Sequence, residues 1–229
     1  MARKNGKSFD CPTQPIARFG TTFYASKILN EKKEAADSAQ PDFWSQRYST
    51  RRIPWQLDRV PRNLSAFIRA LHSRRKVLIP GCGEDYRTID AFRHAGHQVT
   101  GIDFSPVAIE QMKKALTDIK GEVMLGDFFS FNFESASFDI VYERTFLCSL
   151  PPRLWTDYAA RVAQLLRPGG ALAGFFFYGK ESDPPPYPLT ESRASELFGN
   201  RFDLVKSEPV IDSVPIFAGT EKWQEWRLR

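Results

Sequence analysis

From Lys76 onward the chain alternates between two hydrophobic rhythms. Short apolar runs bounded by turn formers give way to stretches whose apolar residues recur three and four apart, the signatures of strands and of amphipathic helices. The governing unit is KVLIPGCGEDYRTIDAFRHAGHQVTGID, Lys76 to Asp103. Val77, Leu78 and Ile79 form the first strand, and Pro80–Gly81–Cys82–Gly83 a turn. Tyr86, Ile89, Ala91, Phe92 and Ala95 fall at helical spacing, with Gly96 as the natural stop. A second apolar strand begins at Gln98 and runs through Ile102 to an acid, Asp103.

Ahead of this unit, residues 1 to 40 are polar and lack a sustained period, apart from a short helical pattern over 26–36. The segment 42–56, DFWSQRYSTRRIPWQ, is different: Trp44, Tyr48 and Trp55 sit among charges, and Trp44 and Tyr48 share one helix face. A helix is predicted from Asn63, a candidate cap, to His72, with Leu64, Phe67, Ile68 and Leu71 as its apolar face. After Asp103, Ser105 caps a helix that has Pro106 at its first position and runs to about Thr117. A third strand, 122–125, ends in Gly126–Asp127–Phe128–Phe129. A fourth, 138–142, enters Glu143–Arg144–Thr145–Phe146. Pro151–Pro152 opens a helix that Arg167–Pro168–Gly169–Gly170 breaks sharply, and the very apolar run Ala171 to Tyr178 belongs at the centre of a sheet. A Pro-rich loop over 183–188, a short helix over 191–198, and strands near 202–210 and 220–228 complete the pattern. It predicts an α/β fold with a doubly wound, mostly parallel seven-stranded sheet and a C-terminal antiparallel hairpin. The aromatic segment reads as an N-terminal helical lid. Residues 1–40 read as a basic, flexible extension and 41–229 as one domain.

Composition narrows the function. At 229 residues and 42% hydrophobic, the chain has material for one domain plus an appendage. No apolar run reaches the length of a membrane helix, so a membrane partner is not expected. The basic, acid-poor start has the composition of a transit peptide, but a solvated tail is the simpler reading. Cys11, Cys82 and Cys148 are too few and too scattered for a disulfide framework or a zinc site, which favours a reducing, cytoplasmic setting. The net charge of +5 admits an anionic partner, but the basic residues come in short clusters such as Arg51–Arg52 and Arg74–Arg75–Lys76, the pattern of a solvated surface more than of a nucleic-acid track.

The candidate chemistry gathers at the strand ends. Gly81 and Gly83 carry no Cβ, so a ligand can approach their backbone, and Asp103 can accept hydrogen bonds from two vicinal ribose hydroxyls. A dinucleotide fingerprint has a third glycine where this chain has Tyr86, which counts against a nicotinamide oxidoreductase. Each feature also has a plainer reading: glycines that serve only the turn, Asp127 capping the turn after it, and Trp44, Tyr48 and Trp55 packing on the core. His72, His94 and His97 fall away from the strand ends, and Cys82 and Cys148 read as packing residues.

The ordered set PGCGED, GID, GDFF, FDIVYER and LLRPGGALAGF resembles the class I S-adenosylmethionine-dependent methyltransferases, although Asp85 stands where a further loop glycine often occurs. Over residues 42 to 229 the likeness narrows to the thiopurine S-methyltransferase family, which includes halide/thiol methyltransferases. FW-x3-Y-x6-W, ERTFLCSLPP and DPPPYPLT carry it. The resemblance implies S-adenosylmethionine as cofactor, held by Trp44, Tyr48, Trp55, Gly81, Asp103, Asp127, Phe128 and Arg144, and the glycine turn itself adds Gly83. It implies a small-molecule methyl acceptor; Trp55 and Tyr187, the latter in the Pro-rich loop, are the expected acceptor contacts, Arg144 would stabilise a thiolate, and the chemistry requires no metal. Asp183–Pro184–Pro185–Pro186–Tyr187 looks like the motif of nucleobase amino methyltransferases, but that motif belongs at the end of the fourth strand, where this chain has Tyr142–Glu143–Arg144. The expected reaction is methyl transfer to a small soft nucleophile: a thiol, a thiopurine-like heterocycle, a halide or hydrosulfide. The alternatives are another oxygen or nitrogen nucleophile, RNA, or a binding protein without catalysis. A monomer is the expected state.

Overall fold

The computed structural model describes residues 37–116, 122–180 and 184–229. The helical pattern over 26–36 and most of the basic extension therefore lie outside the described residues. Helix α1 (Pro41–Ser49) and helix α2 (Arg62–Arg69) precede the sheet. Then follow β1 (Lys76–Pro80), α3 (Tyr86–His94), β2 (Gln98–Asp103), α4 (Pro106–Ala115), β3 (Val123–Leu125) and β4 (Phe138–Arg144). Helix α5 (Trp155–Leu165) leads into β5 (Leu166–Phe177), followed by α6 (Glu191–Phe198), β6 (Phe202–Pro209) and β7 (Glu221–Leu228).

The seven strands lie in the order β3-β2-β1-β4-β5-β7-β6. Strands β1 to β5 pair in parallel, whereas β7 runs antiparallel to both β5 and β6. The doubly wound sheet and the terminal hairpin are thus as the periodicity predicts. Parallel neighbours need crossovers, and the helices that supply them cover both faces. Side-chain alternation sorts the core accordingly. Val77 and Ile79 of β1, Ile140 and Tyr142 of β4, and Ala173 and Phe175 of β5 bury toward Leu64, Ile89, Phe92 and Met112. Leu78, Val141, Leu172 and Phe176 point the other way, against Trp155, Tyr158, Val162 and Phe198.

The helix starts show why the local signals work. Ser105 Oγ accepts the amide of Ala108, with Pro106 in the first turn, and Asp85 accepts the amide of Thr88 at the start of α3. Two expectations change. Asn63 is not a cap: Pro61 holds that position, and the Asn63 side chain donates to Glu208 on β6 at 2.6 Å. The Arg167–Pro168–Gly169–Gly170 stretch is not a clean break between helix and strand. Leu166 already pairs with Phe138, the register jumps to Ala171 opposite Ile140, and Gly169 at φ 74° lets the intervening residues bulge out.

At the outer edge, β6 exposes Leu204 and Val205. Leu204 faces Trp226 and Lys206 faces Glu225, so Val205 is an extra residue in the ladder.

Candidate active site

The C-terminal ends of β1, β2, β3 and β4 open on one side of the sheet, the position where open α/β folds hold their ligands. A cavity of about 1160 Å³ lies there. Its floor includes Gly81, Asp103, Phe104, Gly126, Asp127 and Phe128. Trp44, Tyr48 and Trp55 form one wall, and the stretch from Thr145 to Leu150, with Phe217, forms another.

Asp103 is buried, and each of its carboxylate oxygens takes one backbone amide: Oδ2 that of Gly83 at 2.9 Å, Oδ1 that of Ser105 at 2.8 Å. Burial pushes its pKa up to about 6, opposed by those two hydrogen bonds. The amides tie the glycine turn to the start of α4, yet leave a lone pair on each oxygen at the cavity wall.

The two turn glycines are needed for their backbone. Gly81 and Gly83 both lie in the left-handed region, at φ 57° and 56°. Their open sides are filled by protein. A Cβ on Gly81 would sit 2.3 Å from the Phe146 ring, and one on Gly83 would sit 2.5 Å from the Tyr48 hydroxyl. Gly81 still borders the cavity, whereas Gly83 borders only a smaller adjoining recess beneath Tyr48.

The aromatic segment closes on itself and on the glycine turn. Trp55 meets Trp44 edge-on at 5.5 Å and Tyr48 at 6.1 Å between ring centroids. The Trp44 indole donates to the Ser38 carbonyl. Ser45 Oγ lies 2.9 Å from Ser105 Oγ, joining α1 to the cap of α4. Arg51, at φ 56°, reaches both oxygens of the largely buried Glu84 with Nη1, at 2.7 and 2.8 Å. Arg144 donates from Nη2 to the Trp55 carbonyl at 2.7 Å. Three polar links thus fix the segment to the body of the domain.

Asp127 is exposed, with Oδ1 on the Phe129 amide and Oδ2 on the Ser130 hydroxyl, so it does cap the following turn while lining the cavity. Phe128 is a core residue packed edge-on against Phe129 and Phe146, with one face on the cavity.

Two expected site residues stand elsewhere. Arg144 borders the small recess and not the main cavity, because its guanidinium is turned to the Trp55 carbonyl. Tyr187 is set back: its amide donates to the Cys148 carbonyl and its ring packs against the core, leaving Pro185 and Pro186 on the cavity wall. Histidine is absent from the described lining; the buried His97 precedes β2, at the far end of the strands, and accepts the Arg75 amide. Cys148 does line the cavity, but burial pushes its thiol well up.

Glu143 is the residue that local pattern does not reveal. It is 1% exposed at the end of β4. Oε1 accepts the amides of Phe146 and Leu147, both at 2.9 Å, and Oε2 accepts the Tyr158 hydroxyl at 2.6 Å. Burial outweighs these bonds and raises its pKa to about 7. In the sequence the residue stands inside ERTFLCSLPP, a stretch that carries the family resemblance but does not single it out.

Comparison with known proteins agrees with this geometry. Residues 39–227 match the family profile described as "Thiopurine S-methyltransferase (TPMT)". A thiopurine S-methyltransferase of Vibrio cholerae is 30% identical over 178 residues, covering 69% of this chain and 80% of that protein. An Arabidopsis thaliana protein named "Probable thiol methyltransferase 2" is 28% identical over 161 residues, covering 67% of this chain and 70% of its own length. Among solved structures, the Burkholderia thailandensis 1,6-didemethyltoxoflavin-N1-methyltransferase with bound S-adenosylhomocysteine superposes with a TM-score of 0.60 at 22% identity, over 95% of this chain and 93% of that one.

Proposed function

Because the chain belongs to the thiopurine S-methyltransferase family and is an S-adenosylmethionine-dependent methyltransferase, we propose that its acceptor is a small soft nucleophile: a thiol, a thiopurine-like heterocycle, a halide or hydrosulfide. One observation carries this reading. Of the carboxylates that line the cavity, Asp103 and Asp127 already accept protein donors and Asp157 is exposed on α5, and the walls around Trp55 and Phe217 are aromatic. Such a lining orients a planar or polarisable acceptor and excludes water, and no histidine stands in its described part to take a proton from a phenol or an amine. A thiol that ionises by itself, or a halide, needs only alignment and desolvation.

The chain's own groups fit the cofactor. Asp103 would accept the ribose hydroxyls with its two remaining lone pairs. Asp127 and Phe128 would meet the adenine, one at its amino edge and one at its face. Trp44, Tyr48 and Trp55 would cover the cationic sulfonium side, where aromatic faces are favourable. The cofactor supplies an activated methyl on a good leaving group. Gly81 gives close approach to the backbone, while Gly83 and Arg144 act indirectly: Gly83 by anchoring Asp103, Arg144 by holding the carbonyl of Trp55. Arg144 therefore serves the lid and not the thiolate.

A competition assay with a thiophenol, iodide and the matching phenol, plus an RNA control, tests the acceptor class. Faster transfer to the thiol or iodide is expected. Preference for the phenol, or transfer confined to RNA, would assign the chain another acceptor.

A further inference from the structure

We propose that Glu143 is a positioning residue for methyl transfer, holding the loop from Thr145 to Leu150 across both ends of the cavity so that donor and acceptor stay in line. The proposal rests on the methyltransferase reading above and adds a role to a residue that does not itself line the cavity.

The loop is costly to hold and exposed to both halves of the site. Thr145 opens it at φ 63°, a left-handed conformation that a β-branched residue adopts only under constraint. The constraint is next door: the amides of the two residues after Thr145 both end on Glu143 Oε1. Oε2 is anchored in turn by Tyr158 of α5, itself fully buried. One carboxylate thus fixes a strained loop to a helix of the core.

What the loop carries makes this matter for chemistry. At its start, the Phe146 ring lies against Gly81 and meets Phe128 edge-on at 5.4 Å, on the side assigned to the cofactor. Two residues on, Cys148 packs with Phe177 and Phe217, and Trp55 packs on that cluster, on the side assigned to the acceptor. Thr145, Phe146, Cys148, Ser149 and Leu150 all line the cavity. A shift of the loop therefore moves the two halves relative to each other, and in-line displacement is sensitive to that separation. The two carboxylates assigned to the cofactor, Asp103 at the end of β2 and Asp127 in the turn after β3, take their hydrogen bonds from residues outside this loop.

A purely structural staple and a positioning residue differ in what their loss changes. Glu143→Gln keeps an oxygen for the two amides but removes the charge. Tyr158→Phe removes the hydroxyl that anchors Oε2. Both should leave adenosylhomocysteine affinity by calorimetry unchanged and lower kcat toward thiophenol on the order of 10- to 100-fold, the scale of a small misalignment. Glu143→Asp, one methylene short of the two amides, should behave like Glu143→Gln and fail to restore kcat. Unchanged kcat in both variants overturns the proposal, as does a loss of kcat matched by an equal loss of adenosylhomocysteine affinity. If Glu143→Gln does not fold, Tyr158→Phe decides alone. If the wild type methylates none of the acceptors tried, the functional reading fails, and hydrogen exchange still reads the clamp. Faster exchange of the Phe146 and Leu147 amides in Glu143→Gln supports it; equal exchange overturns it.

Discussion

Asp103, the last residue of β2, and Glu143, the last but one of β4, stand on the two strands that flank β1, and each holds backbone amides from inside the protein. They nevertheless do different work. Asp103 ties together two segments far apart in sequence, the glycine turn and the cap of α4, and keeps one side of each oxygen toward the cavity. Glu143 ties only its own loop and a tyrosine behind it, and both its oxygens face protein. The same group at the same height in a parallel sheet can thus build a ligand surface or build the scaffold beside it. The partners decide which, because a carboxylate whose lone pairs are taken by protein has little left for a ligand.

The pH dependence of stability is the largest expected effect, and it separates the two. Both groups have raised pKa values in the folded state, to about 6 and about 7 from 3.8 and 4.5. The folded chain therefore binds more protons than the unfolded chain across that interval, and stability should fall as pH rises from about 4 to about 7, by on the order of 3 kcal/mol for each carboxylate. Urea melts at several pH values should show this slope, and Asp103→Asn and Glu143→Gln should each flatten part of it. A wild-type stability that rises with pH over this window would mean both groups ionise easily in place.

Ligand binding should distinguish the two next. Asp103→Ala is expected to lose roughly 1.5–3 kcal/mol of adenosylhomocysteine affinity, the scale of a hydrogen bond to a charged group. Wild-type affinity should also weaken below about pH 6, as Asp103 takes up a proton. Calorimetry of Asp103→Ala and Glu143→Gln side by side would erase the contrast if both lost affinity equally or neither did.

The smallest effect concerns the lid that lies over Asp103 and has no counterpart on Glu143. Arg51 is largely exposed, so its pair with Glu84 should contribute no more than about 1 kcal/mol and weaken with salt. Adenosylhomocysteine should slow proteolysis of residues 42–56 in the wild type, and Arg51→Ala should make that segment more sensitive without ligand. Equal cleavage with and without ligand would leave the aromatics as core packing only.

The sequence made the scaffold legible because its signals are local. Ser105 with Pro106, Gly96 after α3 and the alternation of Val77, Leu78 and Ile79 each depend on near neighbours. Asp103 was legible for the same reason, standing at a strand end after two glycines. Other features depend on partners from elsewhere in the chain. Nothing near Gly81 or Gly83 says that Phe146 and Tyr48 fill the space their missing side chains leave. Glu143 reads as one more acid at a strand end until Tyr158 of α5 and the loop turning back on it are in view. Arg144 has a long side chain whose direction is set by the Trp55 carbonyl, 89 residues away. Asn63 looked like a cap because caps are common, but Glu208 on β6 claimed it.

The outer strand β6 bears on whether the sheet can be extended at its edge. An edge with exposed Leu204 and Val205 is a template onto which another chain could add a strand. The extra residue at Val205 interrupts the even row of donors and acceptors such an addition needs, and Pro209 at the strand's end has no N–H to offer. Removing Val205 would straighten the ladder and leave Pro209 as the remaining interruption of that edge.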